Sequence, residues 1–325
     1  MNQPHYEQPQ LCIAGRWREG RSGRSLAVLN PADESTLAEL PLADPEDIDE
    51  AIAAAHAAFA GWRRSSPFER AGILKRAAAL MAERRARLAE IMTLEQGKPL
   101  LEAGLEIDRS VETFAWYAEE ATRVSETVYP PRPLPPVGFR QRRVPEPVGV
   151  VAALTAWNFP SILVARKLAP ALAAGCTVIL KAAEETPASA VAMVRILEEA
   201  GLPPGVLNLV FGEPDQVSTR LLDSPVVRKL SFTGSVPVGK LLAGKAAKHL
   251  VRCTFELGGH APVIVLPDAD PASVAAETAA FKFRNAGQVC ITASRFFVHE
   301  HLHDEVLARF VEQAKALKVG DGREE

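Results

Sequence analysis

The spacing of apolar positions changes character at about residue 149. Before it, Ile48, Ile52, Ala55, Phe59 and Trp62 recur at steps of three and four, the period of a helix that buries one face. Asp44 is placed to cap this helix, and Pro45 suits its first position. Ser66-Pro67-Phe68-Glu69 has the form of a capping box and predicts a second helix through Leu74, Leu80, Leu88 and Ile91. Gly97-Lys98-Pro99 breaks it, and a third helix is expected to run to about Thr122. Ahead of these helices, the run 11–17 with its bend at Gly15, and the Asn30-Pro31-Ala32-Asp33 turn, predict short strands. All of this reads as scaffold.

After residue 149 the apolar residues come in short continuous runs: 149–154, 176–180, 206–211, 227–232 and 250–255, each separated from the next by a helical pattern. Such runs predict a Rossmann-type α/β fold, a parallel sheet with helices on both faces. Between the two halves, Pro130, Pro131, Pro133, Pro135 and Pro136 on one side and Pro145 and Pro147 on the other bracket residues 137–144. Proline is excluded from helix interiors and central strands, so this segment is either a surface loop or a protruding β-hairpin arm that pairs with another subunit. The expected division is 1–122 with 149–255 as a nucleotide-binding domain, 123–148 as an oligomerisation arm, and 256–325 as the start of a second α/β domain.

The 325 residues are 47% hydrophobic and carry a net charge of -3 with both signs interspersed, which gives no electrostatic reason to expect nucleic acid or a membrane surface as partner. Cys12, Cys176, Cys253 and Cys290 are far apart and form no CxxC pair, the usage of reduced thiols. The first ten residues hold no apolar core of a secretion signal, and no run has the length of a membrane span, so a cytoplasmic location is expected. His299-Glu300-His301 and His303-Asp304 fit a solvated helix start better than a metal site, so no metal is expected.

Chemistry enters at the strand ends, where open parallel sheets bind ligands. Thr155, Ala156, Trp157 and Asn158 follow the first run; Lys181 and Glu184 follow the second; Gly212 follows the third. Phe232, Gly234 and Ser235 close the fourth, with Gly239 inside the helix that it opens, and Glu256 and Leu257 follow the fifth. The first turn lacks Gly-x-Gly-x-x-Gly. Gly234 and Gly239 instead flank a wider turn at a helix start, with Ser235 as its cap, whose N–H groups suit a pyrophosphate. A Lys181–Glu184 pair suits a ribose diol, and the carboxylate disfavours a 2′-phosphate, so NAD is expected over NADP. Cys290 ends the flexible run Asn285-Ala286-Gly287-Gln288-Val289, a place from which a thiol can reach a cleft as a nucleophile. An amide such as Asn158 can donate to an oxyanion, and a carboxylate such as Glu256 can activate water.

Trp157-Asn158-Phe159-Pro160, Phe232-Thr233-Gly234-Ser235, Glu256-Leu257-Gly258-Gly259 and Gly287-Gln288-Val289-Cys290 together resemble, in order and spacing, the aldehyde dehydrogenase superfamily. The resemblance spans nearly the whole chain from about residue 11. It implies that Cys290 attacks an aldehyde, that Asn158 and the Cys290 backbone N–H hold the oxyanion, and that Glu256 activates the water that hydrolyses a thioester. It also implies that Lys181, Glu184, Gly212, Gly234 and Ser235 line the cofactor site. Arg166 and Arg284 match the arginines that resemble the carboxylate grip of succinate-semialdehyde and 2-oxoglutarate-semialdehyde dehydrogenases, and arginine forks suit carboxylates. A semialdehyde with a distal carboxylate is therefore the expected substrate, and a homodimer or homotetramer the expected assembly.

Ala156 and Ala182 stand where the family has proline, His260 where lysine is common, and Thr292 where some relatives have a second cysteine. The chain resembles family members that continue well beyond residue 325, so a fragment is expected. A catalytically inactive nucleotide-binding or subunit-interaction protein is the alternative reading.

Overall fold

The computed structural model describes residues 6–130 and 141–324. The strands β1 (Leu11–Ile13), β2 (Arg16–Arg18), β3 (Ser25–Leu29) and β4 (Thr36–Pro41) precede four helices, α1 (Pro45–Trp62), α2 (Pro67–Glu83), α3 (Arg85–Gln96) and α4 (Leu100–Arg123). A short pair, β5 (Thr127–Tyr129) and β6 (Gln141–Arg143), follows. Next come β7 (Val150–Leu154), α5 (Ile162–Ala173), β8 (Thr177–Lys181), α6 (Pro187–Glu199) and β9 (Leu207–Val210). They continue into α7 (Pro214–Asp223), β10 (Val227–Gly234), α8 (Val236–Ala247) and β11 (Arg252–Leu257). Last are β12 (Val263–Val265), α9 (Pro271–Phe283), a 3-10 turn at Arg284–Gly287, β13 (Phe296–Val298) and α10 (Glu300–Ala316).

The Asp44 cap of α1 is reciprocal: its carboxylate accepts from the Asp47 N–H, and Asp47 accepts from the Asp44 N–H. At Ser66 the cap is one-sided, the hydroxyl accepting from the Phe68 N–H. The single second helix expected from the periodicity is in fact two. The backbone leaves helical geometry at Arg84 (φ -96, ψ 14), a residue type that gives no breaking signal. Gly97 ends α3 in the left-handed region at φ 86, the conformation in which glycine meets no side-chain penalty.

The main sheet has the order β11-β10-β7-β8-β9-β1-β2. Its five strands from β11 to β9 run parallel, as the apolar runs predict, and β7 and β8 are buried along their full length. Outside these five strands the sheet is extended at one edge by the N-terminal hairpin, where β1 joins β9 antiparallel and β2 turns back on β1. The fifth strand is displaced two residues from its apolar run, because Leu250 is exposed at φ 50 and the strand runs from Arg252 to Leu257. A second, parallel pair of β12 with β13 packs against α10, which packs in turn on α9. β5 and β6 pair antiparallel and are exposed, whereas Pro131, Pro133, Pro135, Pro136 and residues 137–140 lie outside the described residues.

The chain lays down β8 and β9 on one side of β7, then returns to place β10 and β11 on the other. The direction of winding therefore reverses between β7 and β10, and the carboxyl ends of these strands flank a natural crevice.

Candidate active site

A cavity of about 980 Å³ opens at that crevice. Thr155, Ala156, Trp157 and Asn158 enter it from the end of β7, Lys181 and Glu184 from β8, and Phe232, Gly234 and Ser235 from β10. Glu256 and Leu257 come from β11, and Cys290 from the loop after the 3-10 turn. Cys290, Asn158 and Glu256 thus share one space.

The Cys290 thiol is free and exposed. Its loop is held by unusual backbone: Asn285, Ala286 and Gly287 lie in succession in the left-handed region at φ 50, 52 and 77. For the two non-glycine residues this costs roughly 1–2 kcal/mol each. Asn285 offsets the cost with its buried side chain, whose amide nitrogen donates to the carbonyls of Asn158 (2.9 Å) and Gln288 (3.3 Å). The Asn158 side chain donates one N–H to the Gln288 carbonyl at 2.8 Å, which leaves its second N–H for a ligand. The backbone N–H of Cys290 makes no hydrogen bond among the described residues, while its carbonyl accepts from the Gly259 N–H at 3.3 Å. Glu256 is an exposed carboxylate at the cavity surface.

Behind Glu256 lies a group that the sequence reading missed. Lys167, buried on α5, donates to the Ser231 hydroxyl at 3.2 Å and lines the same cavity. Burial lowers its pKa to about 8, against the opposing pull of the Glu256 charge.

On the sheet side, Lys181 pairs with Glu184 at 2.5 Å, and the second Glu184 oxygen accepts the Gly212 N–H at 3.2 Å. Gly212 therefore holds Glu184 and does not itself line the cavity. Gly239 is likewise set back from it: a Cβ there would lie 2.9 Å from a Leu257 methyl, so this glycine lets α8 close on β11. Ser235 caps α8, its hydroxyl accepting from the Val238 N–H at 3.4 Å. A preformed Lys–Glu pair, a capped helix start and the half-open face of Trp157 fit a dinucleotide.

The two expected substrate arginines part company. Arg166 is exposed and lines the cavity. Arg284 does not; its guanidinium sits over the Phe159 ring, 5.8 Å from the ring centre. A different arginine, Arg109, lines the cavity with Glu112, Thr113, Trp116 and Tyr117. These are one face of α4, which the sequence reading left as scaffold. The signal was available as a polar and aromatic stripe at steps of three and four within an otherwise apolar-faced helix.

Among the described residues no cluster of three or more His, Cys, Asp or Glu side chains could hold a metal, and no helix is long and apolar enough to cross a membrane. His299 instead caps α10. Thr292 donates to the Lys282 carbonyl at 3.3 Å, and the His260 ring pairs with the Ser294 hydroxyl at 3.0 Å.

The profile of the aldehyde dehydrogenase family matches residues 17–325. The chain is 49% identical to the 4-(hydroxymethyl)benzenesulfonate dehydrogenase of Comamonas testosteroni over 98% of its own length and 66% of that enzyme's. It is 40% identical to the NADP(+) succinate-semialdehyde dehydrogenase of Escherichia coli, over 99% of this chain and 66% of the relative. The crystal structure of succinate-semialdehyde dehydrogenase from Burkholderia pseudomallei superposes with a TM-score of 0.94 at 44% identity, covering 99% of this chain and 66% of that one. The chain thus spans 66% of the length of these relatives. With the family profile matched over that range and the fold shared with solved members, this chain belongs to the aldehyde dehydrogenase family.

Proposed function

We propose that the chain oxidises an aldehyde bearing a remote anionic group to the corresponding acid. The observation that carries this reading is a single cavity holding Cys290, Asn158 and Glu256 together with Arg109 and Arg166, neither of which has an ion-pair partner among the described residues. The Cys290 thiolate adds to the carbonyl carbon, forming the C–S bond and moving the π pair onto oxygen. The free N–H of Asn158 and the backbone N–H of Cys290 hold that oxyanion. When bound, a nicotinamide dinucleotide would supply the two-electron hydride acceptor that oxidation of the Cys290 adduct to a thioester requires. Glu256 then takes a proton from water, the water oxygen attacks the thioester carbon, and the C–S bond breaks to release the acid and the thiolate.

Lys181, Glu184, Ser235 and the strand-end residues around them would hold the dinucleotide, and the Glu184 carboxylate favours NAD over NADP. An arginine fork accepts a carboxylate or a sulfonate, the two tails named among the relatives. A dicarboxylic semialdehyde is our first candidate. On this reading residues 1–122 and 149–255 bind the cofactor, 256–325 belong to the catalytic domain, and the hairpin in 123–148 pairs with another copy of the chain.

The test is alkylation by iodoacetamide, read by mass spectrometry. Cys12 and Cys176 are buried and Cys253 is half-buried, so the reaction reports Cys290. Fast labelling that NAD alters and succinate semialdehyde blocks is the expected result. Labelling no faster than an ordinary thiol, and blind to both, supports instead a nucleotide-binding or subunit-interaction role without catalysis.

A further inference from the structure

One buried ion pair near the cavity has no part in the chemistry above. Lys98 and Glu106 meet at 2.5 Å with side chains only 1% and 3% exposed, and neither lines the cavity. Lys98 stands in the gap between α3 and α4, just past the left-handed Gly97; Glu106 lies two turns into α4. One Glu106 oxygen takes Lys98, and the other accepts the N–H groups of Ser161 (2.8 Å) and Ile162 (3.0 Å) at the start of α5. A carboxylate there satisfies two otherwise unpaired donors and complements the positive end of the helix.

Lys98 also donates to the carbonyl of Asn158 at 3.0 Å and lies 4.2 Å from the centre of the Phe159 ring. Asn285, from the cysteine loop, donates to that same carbonyl at 2.9 Å, and its own N–H is fixed by Glu102 of α4 at 2.9 Å. The side chain of Asn158 reaches back to Gln288 in the cysteine loop at 2.8 Å. The turn that carries Asn158 is therefore fixed at its carbonyl, at its side chain and at the helix it enters, by groups from α4 and from the loop of Cys290.

We infer that the Lys98–Glu106 pair, together with Asn285, is a positioning device that sets the Asn158 amide relative to the Cys290 sulfur. The inference rests on the reading of Asn158 as the oxyanion donor. Stability alone is a weak reason for such a pair, because buried ion pairs can often be replaced by apolar side chains without loss. Position is a better one: a misplacement of about 1 Å in a reacting geometry costs on the order of 100-fold in rate. Burial lowers the Lys98 pKa, and Glu106 opposes that shift, so the charge that fixes the turn is itself maintained by its partner.

Two reactions of the same sulfur separate positioning from folding. Iodoacetamide is attacked at a tetrahedral carbon; the C–S bond forms, iodide leaves, and no oxyanion arises. With p-nitrophenyl acetate the thiolate attacks a carbonyl, an oxyanion forms, and p-nitrophenolate leaves as the C–O bond breaks. The ratio of acylation to alkylation rates therefore reads the oxyanion site. Asn158→Ala should lower the ratio about 100-fold. Asn285→Ala and Lys98→Met should each lower it about 10-fold or more. The double variant Lys98→Met/Glu106→Gln keeps an oxygen for the Ser161 and Ile162 N–H groups. It should recover the Tm lost in Lys98→Met without recovering the ratio, and it carries the test should Lys98→Met fail to fold. Folded Asn285→Ala and double-variant proteins whose ratios stay within about twofold of the parent would overturn the inference while leaving Asn158 in place. An unchanged ratio in Asn158→Ala would instead remove the oxyanion assignment itself.

Discussion

The two walls of the cavity treat charge in opposite ways. On the sheet side, Lys181 and Glu184 neutralise one another, the second Glu184 oxygen is taken by Gly212, and the Ser235 hydroxyl is engaged at the start of α8. On the wall built by α4 and α5, Arg109 and Arg166 face the same space, and neither is ion-paired among the described residues, although Glu112 lines that wall as well. A preformed pair is rigid and offers a donor and an acceptor to neutral hydroxyls. Two unneutralised guanidiniums attract an anion and gain little from a neutral ligand. On the proposed function, the sheet wall would take the ribose of a dinucleotide and the helix wall the charged end of the substrate.

The largest expected effect breaks the helix wall. Arg109→Ala/Arg166→Ala should weaken the protection of Cys290 by succinate semialdehyde about 100- to 1,000-fold, from two charge-assisted contacts of roughly 1.5–3 kcal/mol each with some loss to non-additivity. Protection by butyraldehyde, of the same chain length without the carboxylate, should stay within about threefold. Arg284→Ala should also change little, because that guanidinium rests on Phe159 outside the cavity. If Arg284→Ala weakens protection more than Arg109→Ala does, the assignment of this wall is wrong and the anionic end lies nearer the cysteine turn.

Which of these residues could be read from the sequence follows from how each is placed. Asn158, Lys181, Ser235 and Glu256 stand at the ends of apolar runs, and the rule that parallel sheets bind at strand ends brings them to one crevice. Cys290 is announced by its glycine-containing turn. Arg109 and Lys167 sit inside helices, where a periodic pattern shows that a face is buried but not which elements it faces. Lys98 and Glu106 are eight positions apart across a helix break, and nothing local tells that their partners are the carbonyl of residue 158 and the N–H groups at 161 and 162. The same blindness to distant partners hid the antiparallel edge: the run 11–13 reads as a strand, but its pairing with residue 209 is set by packing alone.

Lys167 lies where the two walls meet, and it yields a pH test. Its folded pKa is about 8 against an ordinary value of 10.5, with burial as the cause. Below pH 8 it is charged in both folded and unfolded chains, so the folded state bears the full desolvation cost, roughly 3 kcal/mol. Between pH 8 and 10.5 the unfolded chain holds a proton that the folded chain has released, so this group makes stability rise with pH. Lys167→Met should be the more stable protein at pH 7 and should lack that rise. Denaturant titrations of both proteins at pH 7, 9 and 10 check it; parallel profiles would show that Lys167 is solvated despite its burial.

The smallest effect concerns the sheet wall. Glu184→Gln keeps an oxygen for the Gly212 N–H and removes one negative charge beside the expected ribose. It also leaves the Lys181 ammonium, only 6% exposed, without its counter-charge, which favours any anion that can reach it. A 2′-phosphate is such an anion, and its repulsion by Glu184 disappears in the same step. The affinity for NADP relative to NAD should therefore rise about 10-fold, or about 1.4 kcal/mol. Quenching of tryptophan fluorescence, with Trp116 and Trp157 both lining the cavity, gives both constants from one titration series. A ratio that does not move would mean that Glu184 serves only to hold Lys181 and Gly212, and that the sheet wall does not discriminate between the two cofactors through charge.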